Sequence, residues 1–250
     1  MTKVKIEITI PVFNEEATLE KQVNILYEFL ETNLRRDLAF RIVIADNGST
    51  DSTLLLAHNL ALTNEKIRVV EVHKKGVGLA LRTSWHSSRA EIIGYMDLDL
   101  ATELKYVDNA LTALLDSSGI LATGNRLAKE SNVVGRSLVR SFTSRVFNFI
   151  LRAVFRTKIE DAMCGFKFLY RQYLPELEKS GAMNDGWFYA TELLLVSESL
   201  GLNVVQIPVI WNDDGNSKVK IGRVTTDYLK AIYKLRENFI SNGFSSFVRI

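Results

Sequence analysis

The chain contains one cysteine and three prolines among its 250 residues. The single cysteine, Cys164, excludes an intramolecular disulfide framework and fits a reducing compartment, so we expect a cytoplasmic location. Scarce proline and the absence of low-complexity stretches argue against long linkers. No internal repeat occurs at the periods typical of solenoid proteins.

The chain also lacks an excess of charge of either sign, because 31 Lys and Arg residues are balanced by 29 Asp and Glu residues, which leaves a formal net charge of +2. That balance gives no indication of nucleic-acid binding, and we expect no such partner. No window of about 18 uncharged apolar residues exists, so we expect no membrane span. The N-terminal residues alternate apolar and charged side chains, which is not the pattern of a signal peptide.

Apolar runs alternate with helical periodicity through the first half of the chain. The run "VKIEITIPVFNE" predicts a strand that ends at Pro11, and the following leucines predict a helix over roughly 17–35. Four further apolar strands alternate with helices, one of which we expect to begin near Thr50 or Asp51. This order predicts an α/β fold with a mostly parallel central sheet and helices on both faces.

Polar side chains recur where the predicted strands end. Asn14 and Glu15 follow the first strand, Asp46 closes the second, and Asp97 and Asp99 follow the strand "EIIGYM". Ligands of such sheets bind at the carboxyl ends of the strands. We therefore expect a binding site at this edge.

Asp97 and Asp99 are separated by one leucine. Two carboxylates this close repel each other unless a cation lies between them. Mg²⁺ or Mn²⁺ is bound by such oxygen ligands together with substrate phosphates. The alternative is that both aspartates are turn and capping residues without a ligand.

Several motifs occur in a fixed order: "IPVFNEEATL", "IVIADNGSTDST", "KKGVGLALRTS", "MDLDLAT", "TGNR", "IEDAMCGFKFLYR", "WFYATELLL" and "IPVIWNDDGNSKVK". In this order and spacing the chain resembles family 2 glycosyltransferases of the GT-A fold, over about residues 4–220. The later motifs resemble the dolichyl-phosphate and other polyprenyl-phosphate glucosyl- and mannosyltransferases. The resemblance implies an inverting hexosyltransferase that uses a nucleotide-sugar donor, with UDP-glucose as first expectation and GDP-mannose as second.

The resemblance also implies roles for individual residues. Asp97 and Asp99 bind Mg²⁺ or Mn²⁺, and Asp99, Arg126, Asp161 and Glu192 serve catalysis. The nucleotide sugar contacts Pro11, Asn14, Glu15, Asp46, Gly76, Gly78, Asp97 and Lys218. Where relatives carry two aspartates this chain has Asp46 and Asn47, and where glucosyltransferase-like relatives carry a further acid it has Ala190.

Residues 131–159 contain six basic residues and no acidic residue, interleaved with apolar and aromatic side chains. This composition is typical of a basic amphipathic helix on a membrane surface, and we expect such a helix near 133–156. The alternative is a helix packed on the sheet or on another subunit. By resemblance, Arg126, Arg140 and Ser144 bind the phosphate of a polyprenyl phosphate acceptor.

We expect a catalytic domain over residues 1–220 and a helical tail over 221–250, peripherally attached to the cytoplasmic face of a membrane. For the tail, three alternatives stay open: membrane contact, self-association and packing on the catalytic domain. Two other functions also stay open: transfer to a soluble glycan or protein, and a non-catalytic scaffold that binds sugar nucleotides or membranes. An intact pair of aspartates favours an enzyme over the scaffold.

Overall fold

The computed structural model describes residues 4–116, 118–212 and 221–249. Its strands are β1 (Val4–Val12), β2 (Leu38–Asp46), β3 (Ile67–Glu71), β4 (Ile92–Met96), β5 (Leu121–Asn125), β6 (Asn132–Val134), β7 (Phe166–Tyr170), β8 (Val204–Pro208) and β9 (Ile210–Asn212). Its α-helices are α1 (Leu19–Asn33), α2 (Thr53–Thr63), α3 (Val77–His86), α4 (Tyr106–Leu115), α5 (Leu138–Val154), α6 (Leu174–Lys179), α7 (Tyr189–Ser199) and α8 (Ile221–Ser241).

The larger sheet of the described residues has the strand order β3-β2-β1-β4-β7-β5-β8. β1 pairs in parallel with β2 and β4, β2 with β3, and β5 with β8. β7 runs antiparallel to both β4 and β5. The expected mostly parallel sheet is therefore confirmed, with an antiparallel strand at its centre that the sequence patterns did not predict.

Three predicted boundaries were wrong. β1 continues past Pro11 to Val12, because β2 pairs with it as far as Val12. β4 pairs only with the earlier part of β1, so on that side no strand requires the N–H that proline lacks. α1 covers Leu19–Asn33 instead of 17–35. α2 begins at Thr53, after Ser52, because Asp51 is used in the preceding turn, where its carboxylate accepts hydrogen bonds from Thr53.

Two large hydrophobic clusters lie on opposite faces of the sheet, since neighbouring residues of β4 point to different clusters: Ile92 to one and Ile93 to the other. The Ile92 face is covered by α1 and α4. The Ile93 face is covered by α3, α5, α7 and α8, and there the rings of Phe155 and Phe239 lie 5.6 Å apart. The C-terminal helix α8 thus packs on the same core as the sheet.

Helix α5 has an exposed side that carries apolar residues as well as a buried side. Val139, Phe142 and Phe149 expose more than half of their surface, whereas Phe147 and Leu151 are buried. None of the described helices has both the length and the apolarity needed to cross a bilayer.

Candidate active site

Asp97 follows β4 directly, and the turn after it brings Asp99 back toward the same edge of the sheet. The Asp97 N–H donates to the carbonyl of Gly165 at 3.1 Å, and an Asp99 carboxylate oxygen accepts from the N–H of Ala101 at 3.1 Å. Leu100, which directly follows Asp99, has φ of 50°. A left-handed conformation is strained for a leucine and indicates a turn held in place by its surroundings.

The Asp97 carboxylate lies against the α-carbon of Gly165, where a methyl group added at Gly165 would overlap it. Its Oδ1 atom is buried and has no hydrogen-bond partner among the described residues. Burial first, and then the charge of Asp99, raise the pKa of Asp97 to about 7. A cation at this position would satisfy the orphan oxygen and offset the repulsion, so the two aspartates fit a divalent metal.

No cluster of three or more Asp, Glu, His or Cys side chains suited to a metal ion exists within the described ranges. Two carboxylates alone are nevertheless a common protein contribution to an Mg²⁺ or Mn²⁺ site, because substrate phosphates and water supply the remaining ligands. The chemistry of this pair therefore points to a metal bound together with a phosphorylated substrate.

Arg126 and Asp161 form a buried ion pair beside this edge. Arg126 donates from Nε to Asp161 Oδ2 at 2.6 Å and from Nη2 to Oδ1 at 2.9 Å, and its backbone N–H also donates to Oδ2 at 3.0 Å. Burial alone would raise the pKa of Asp161, but the charge and hydrogen bonds of Arg126 outweigh it and lower this pKa to about 2. Two of the residues predicted to serve catalysis therefore meet, and Asp161 fixes the direction of the guanidinium.

Trp211 lies near two arginines and borders the small cavity that Asp97 and Asp99 line. The guanidinium carbons of Arg126 and Arg136 lie 5.3 and 5.4 Å from its ring centroid. Strand β9 carries Trp211 and pairs with β6, which precedes α5. Sequence reasoning gave Trp211 no role, because it depends on pairing between distant short strands.

Asp46 ends β2 next to the turn that follows. Its Oδ2 accepts hydrogen bonds from the N–H groups of Gly48 and Ser49, both at 3.1 Å, whereas its buried Oδ1 has no partner among the described residues. One oxygen is thus used to hold the turn. The other remains suited to an N–H or hydroxyl donor of a nucleoside.

Asn14 and Glu15 link the loop after β1 to the loop after β2. The Asn14 side-chain oxygen accepts from the N–H of Thr50 at 2.8 Å, and the Glu15 N–H donates to the hydroxyl of Thr53 at 2.8 Å. Asn14 has φ of 55°, which asparagine tolerates better than most residues. Pro11 lies one residue before the end of β1, paired with Ala45. The four nucleotide-binding candidates of the first two strands therefore share one region.

Gly76 and Gly78 contact protein backbone. The Gly76 N–H donates to the side-chain oxygen of Asn47 at 2.6 Å, and the Gly78 N–H donates to the carbonyl of Gly186 at 3.1 Å. Gly78 lies inside the first turn of α3, and a side chain there would overlap the carbonyl of Asn184. Both glycines therefore allow α3 to pack against the loop 183–187.

Glu192 also binds the loop 183–187, through its side chain. Its Oε2 accepts hydrogen bonds from the N–H groups of Met183 at 2.8 Å and Asn184 at 2.7 Å. Burial is the main cause that raises its pKa to about 7. Asp185 in this loop also forms ion pairs with Lys74 and Arg82. This geometry gives Glu192 the function of orienting the loop.

The acceptor candidates Arg140 and Ser144 lie one turn apart on α5. Ser144 is buried, and its hydroxyl has no hydrogen-bond partner among the described residues. Arg140 is partly buried near the start of the helix. The donor-loop candidate Lys218 lies outside the described residues.

Lys167 is a buried residue whose position the sequence patterns did not predict. It is 0% exposed, and its Nζ donates to the carbonyls of Cys164 at 2.6 Å and Ala162 at 3.4 Å. Burial is the main cause that lowers its pKa to about 8. It therefore fixes the 161–165 loop, which carries Asp161 and the glycine beside Asp97.

The chain is similar to curated proteins and to solved structures. AglD, a glycosyltransferase of Haloferax volcanii, is 30% identical over 221 residues, which are 88% of this chain and 35% of that protein. The dolichyl-phosphate beta-glucosyltransferase of Mus musculus is 29% identical over 227 residues, covering 86% of this chain and 69% of that protein. The chain thus spans about a third of AglD and about two thirds of the mouse enzyme.

Among solved structures, glucosyl-3-phosphoglycerate synthase of Mycobacterium tuberculosis, in complex with Mn²⁺, UDP-glucose and phosphoglyceric acid, matches with a TM-score of 0.67 at 19% identity. This match covers 94% of the chain and 79% of the synthase. The mannosyltransferase PcManGT of Pyrobaculum calidifontis, in complex with GDP-mannose and Mn²⁺, matches with a TM-score of 0.57 at 18% identity, over 86% of this chain and 58% of that one. These likenesses show the GT-A fold.

The model of the family described as "Glycosyl transferase family 2" matches residues 7–178. This range contains most of β1 and all of β2 through β7, and with them both aspartates after β4 and the Arg126–Asp161 pair. The chain belongs to glycosyl transferase family 2.

Proposed function

We propose that the chain transfers a hexose from a nucleotide diphosphate sugar to a polyprenyl phosphate at a membrane surface, with inversion at the anomeric carbon. The observation that carries the proposal is the adjacency of two polar centres that both border Trp211. One is the carboxylate pair of Asp97 and Asp99, in which Asp97 Oδ1 has no partner among the described residues, and the other is the buried guanidinium of Arg126. The similarity to the dolichyl-phosphate beta-glucosyltransferase of Mus musculus supports a lipid phosphate as acceptor.

On the donor side, Asp97 and Asp99 would hold Mg²⁺ or Mn²⁺, which offsets the negative charge that develops on the leaving diphosphate. The free Oδ1 of Asp46 would accept a hydrogen bond from the ribose or base. Asn14 and Glu15 keep the loops around this oxygen together. We propose UDP-glucose as the donor and GDP-mannose as the second candidate.

On the acceptor side, a polyprenyl phosphate is already an anion near neutral pH and attacks without losing a proton to the protein. The chain needs to position this anion and to neutralise part of its charge. The Asp161 carboxylate holds the guanidinium of Arg126 through two of its five N–H groups, which leaves the others for a phosphate. Arg140 and the Ser144 hydroxyl would complete the binding of the phosphate.

The outward side of α5 supports attachment to a membrane surface. Val139, Phe142 and Phe149 are 65%, 69% and 65% exposed, and they recur at intervals that place them on one side of the helix. The basic residue Arg145 is exposed on α5 one turn from both phenylalanines, and Arg156 is exposed just after the helix ends. Aromatic side chains would enter the interface while each nearby basic residue adds roughly 1 kcal/mol on anionic lipids.

The proposal is tested by the release of nucleoside diphosphate from UDP-glucose and GDP-mannose with Mn²⁺, with and without polyprenyl phosphate. We expect release to rise strongly when the lipid phosphate is added. Release that rises only with a soluble glycan or protein would support the alternative acceptor class. No release with any acceptor would support a scaffold that binds nucleotide sugars without turnover.

A further inference from the structure

The C-terminal helix α8 brings Tyr228 to the catalytic region of the chain. The Tyr228 ring lies 5.0 Å from the ring of Phe147 in α5 and 5.6 Å from the ring of Phe188 at the start of α7. The rings of Phe147 and Phe188 meet edge to face at 6.4 Å. Three aromatic rings from three elements therefore hold the phenol in place.

Two charged groups of the candidate site act on this phenol. Burial first, and then the negative charge of Asp97, raise the pKa of Tyr228, while the positive charge of Arg126 opposes them. The geometric link to the ion pair runs through α5, because Phe147, which contacts the Tyr228 ring, is followed directly by Asn148, whose side-chain oxygen binds the N–H of Ala162. With a raised pKa Tyr228 keeps its proton at neutral pH and acts as a hydrogen-bond donor.

The Tyr228 ring packs against α5 at Phe147. One turn earlier on α5, the buried Ser144 hydroxyl has no hydrogen-bond partner among the described residues. α5 reaches the ion pair through Asn148, whose side-chain oxygen accepts from the N–H of Ala162, next to Asp161, at 2.9 Å. The Ser144 hydroxyl and the Tyr228 phenol, together with the Arg126 guanidinium, form a set of donors suited to an anion, since leaving the buried Ser144 hydroxyl unpaired is costly.

We propose that the Tyr228 hydroxyl donates a hydrogen bond to the phosphate of the acceptor, beside Arg126 and Ser144, so that α8 completes the acceptor site. This inference rests on the proposed function, since it assigns a residue of the acceptor subsite. It also gives α8 a role in recognition in addition to its packing on the core. A phenol adds a donor without adding charge, which lets one phosphate be bound without an excess of cations.

The test compares Tyr228→Phe with the wild-type protein and with Tyr233→Phe. Tyr233 lies on the same helix and is 64% exposed, so its variant controls for the loss of a phenol from α8. Tyr228→Phe keeps the three packed rings, and its melting temperature should match that of the wild type. We expect the KM for polyprenyl phosphate to rise about tenfold or more, the KM for the donor to stay unchanged, and kcat to fall less than the KM rises.

A second readout does not need turnover. Binding to vesicles that contain polyprenyl phosphate is compared with binding to control vesicles. The control vesicles have the same total negative charge, supplied by phosphatidylglycerol. We expect the wild type and Tyr233→Phe to prefer the polyprenyl phosphate vesicles, and Tyr228→Phe to lose most of that preference. An equal preference of Tyr228→Phe and wild type would overturn the inference, even if the wild type transfers no sugar, a result that would overturn the proposed function separately.

Discussion

Arg126 and Asp161 are joined by two side-chain hydrogen bonds of 2.6 and 2.9 Å although 35 residues separate them in the chain. Arg126 follows β5 and Asp161 precedes β7, so the pair closes the part of the site where β7 enters the sheet in the antiparallel direction. The pair is buried, with side-chain exposures of 6% and 0%. The same hydrogen bonds therefore stabilise this edge of the sheet and orient the Arg126 guanidinium, which we propose binds the acceptor phosphate.

The first prediction concerns this pair. Asp161→Ala leaves a buried guanidinium without its partner, which typically costs about 3–5 kcal/mol of unfolding free energy. We expect chemical denaturation to show a loss of that order, together with weaker use of the acceptor. The matched control is Asp37→Ala, which breaks the exposed pair with Arg35. Equal losses of stability in the two variants would contradict the structural role of the buried pair.

The second prediction concerns Asp99. Asp99→Ala removes half of the proposed metal site, and we expect turnover to fall on the order of 100-fold or more while the fold stays intact. The control is Asp108→Ala, which removes an exposed carboxylate from the first turn of α4. Near-normal turnover of purified, folded Asp99→Ala would show that the metal assignment is wrong.

The third prediction concerns Gly165. In Gly165→Ala the new methyl group overlaps the Asp97 carboxylate and must displace it, so we expect about a 100-fold loss of turnover and a loss of the thermal stabilisation by donor and Mn²⁺. The control is Gly201→Ala, where φ is +72° and no atom lies within 4 Å of the added group. That variant should lose about 1 kcal/mol of stability and keep its turnover. The reverse pattern would contradict the contact between Gly165 and Asp97.

The fourth prediction concerns pH and Glu192. Its pKa is raised from 4.5 to about 7 in the folded chain, so the folded state holds a proton that the unfolded state releases between these values. The contribution of this group to stability is complete below pH 4.5 and decreases as pH rises toward 7, by up to roughly 3 kcal/mol. Glu192→Gln lacks this dependence.

The variant should therefore gain stability relative to the wild type as pH rises from 5 to 8. Denaturant unfolding of both proteins at several pH values measures this difference, in which all other titrating groups cancel. A difference that stays constant over the range would contradict the buried environment of Glu192.

The fifth prediction concerns the exposed side of α5. Replacing Phe142 and Phe149 together by serine removes the two exposed aromatic side chains without touching the buried side of the helix. We expect flotation with anionic vesicles to fall strongly, with an unchanged melting temperature. Leu62→Ser, at an 84% exposed position on α2, is the control and should float like the wild type. Unchanged flotation of the double variant would contradict membrane contact through α5.

Local patterns predicted the parts of the site that lie at strand ends. Asp46 and Asp97 follow continuous apolar strands, and the parallel order of those strands brings their carboxyl ends to one edge. Their orphan oxygens were not predictable, since they depend on which backbone groups the turns supply. Periodicity also identified α5, with the difference that the structure begins it at Leu138 instead of near 133.

Local sequence patterns did not predict the contacts between segments that are distant in the chain. The glycines before and inside α3 were expected to approach a ligand, but Gly78 meets the backbone near Gly186 because α3 packs against the loop 183–187. Lys167 is buried under the 161–165 loop, and no local pattern indicates this position because it depends on how that loop folds over β7. Tyr228 had no signal beyond its place in an amphipathic helix, because its neighbours come from α5 and α7.

The central claim is that the acceptor is a lipid phosphate, and the most direct measurement is mass spectrometry of the lipid fraction after incubation with UDP-glucose, GDP-mannose and Mn²⁺. Matched reactions contain polyprenyl phosphate or the uncharged polyprenol, with wild-type protein or with Asp99→Ala. The account predicts a polyprenyl phosphohexose only with the wild type and the phosphorylated lipid. Hexose attached to polyprenol, or hexose found only on a soluble acceptor, would contradict it.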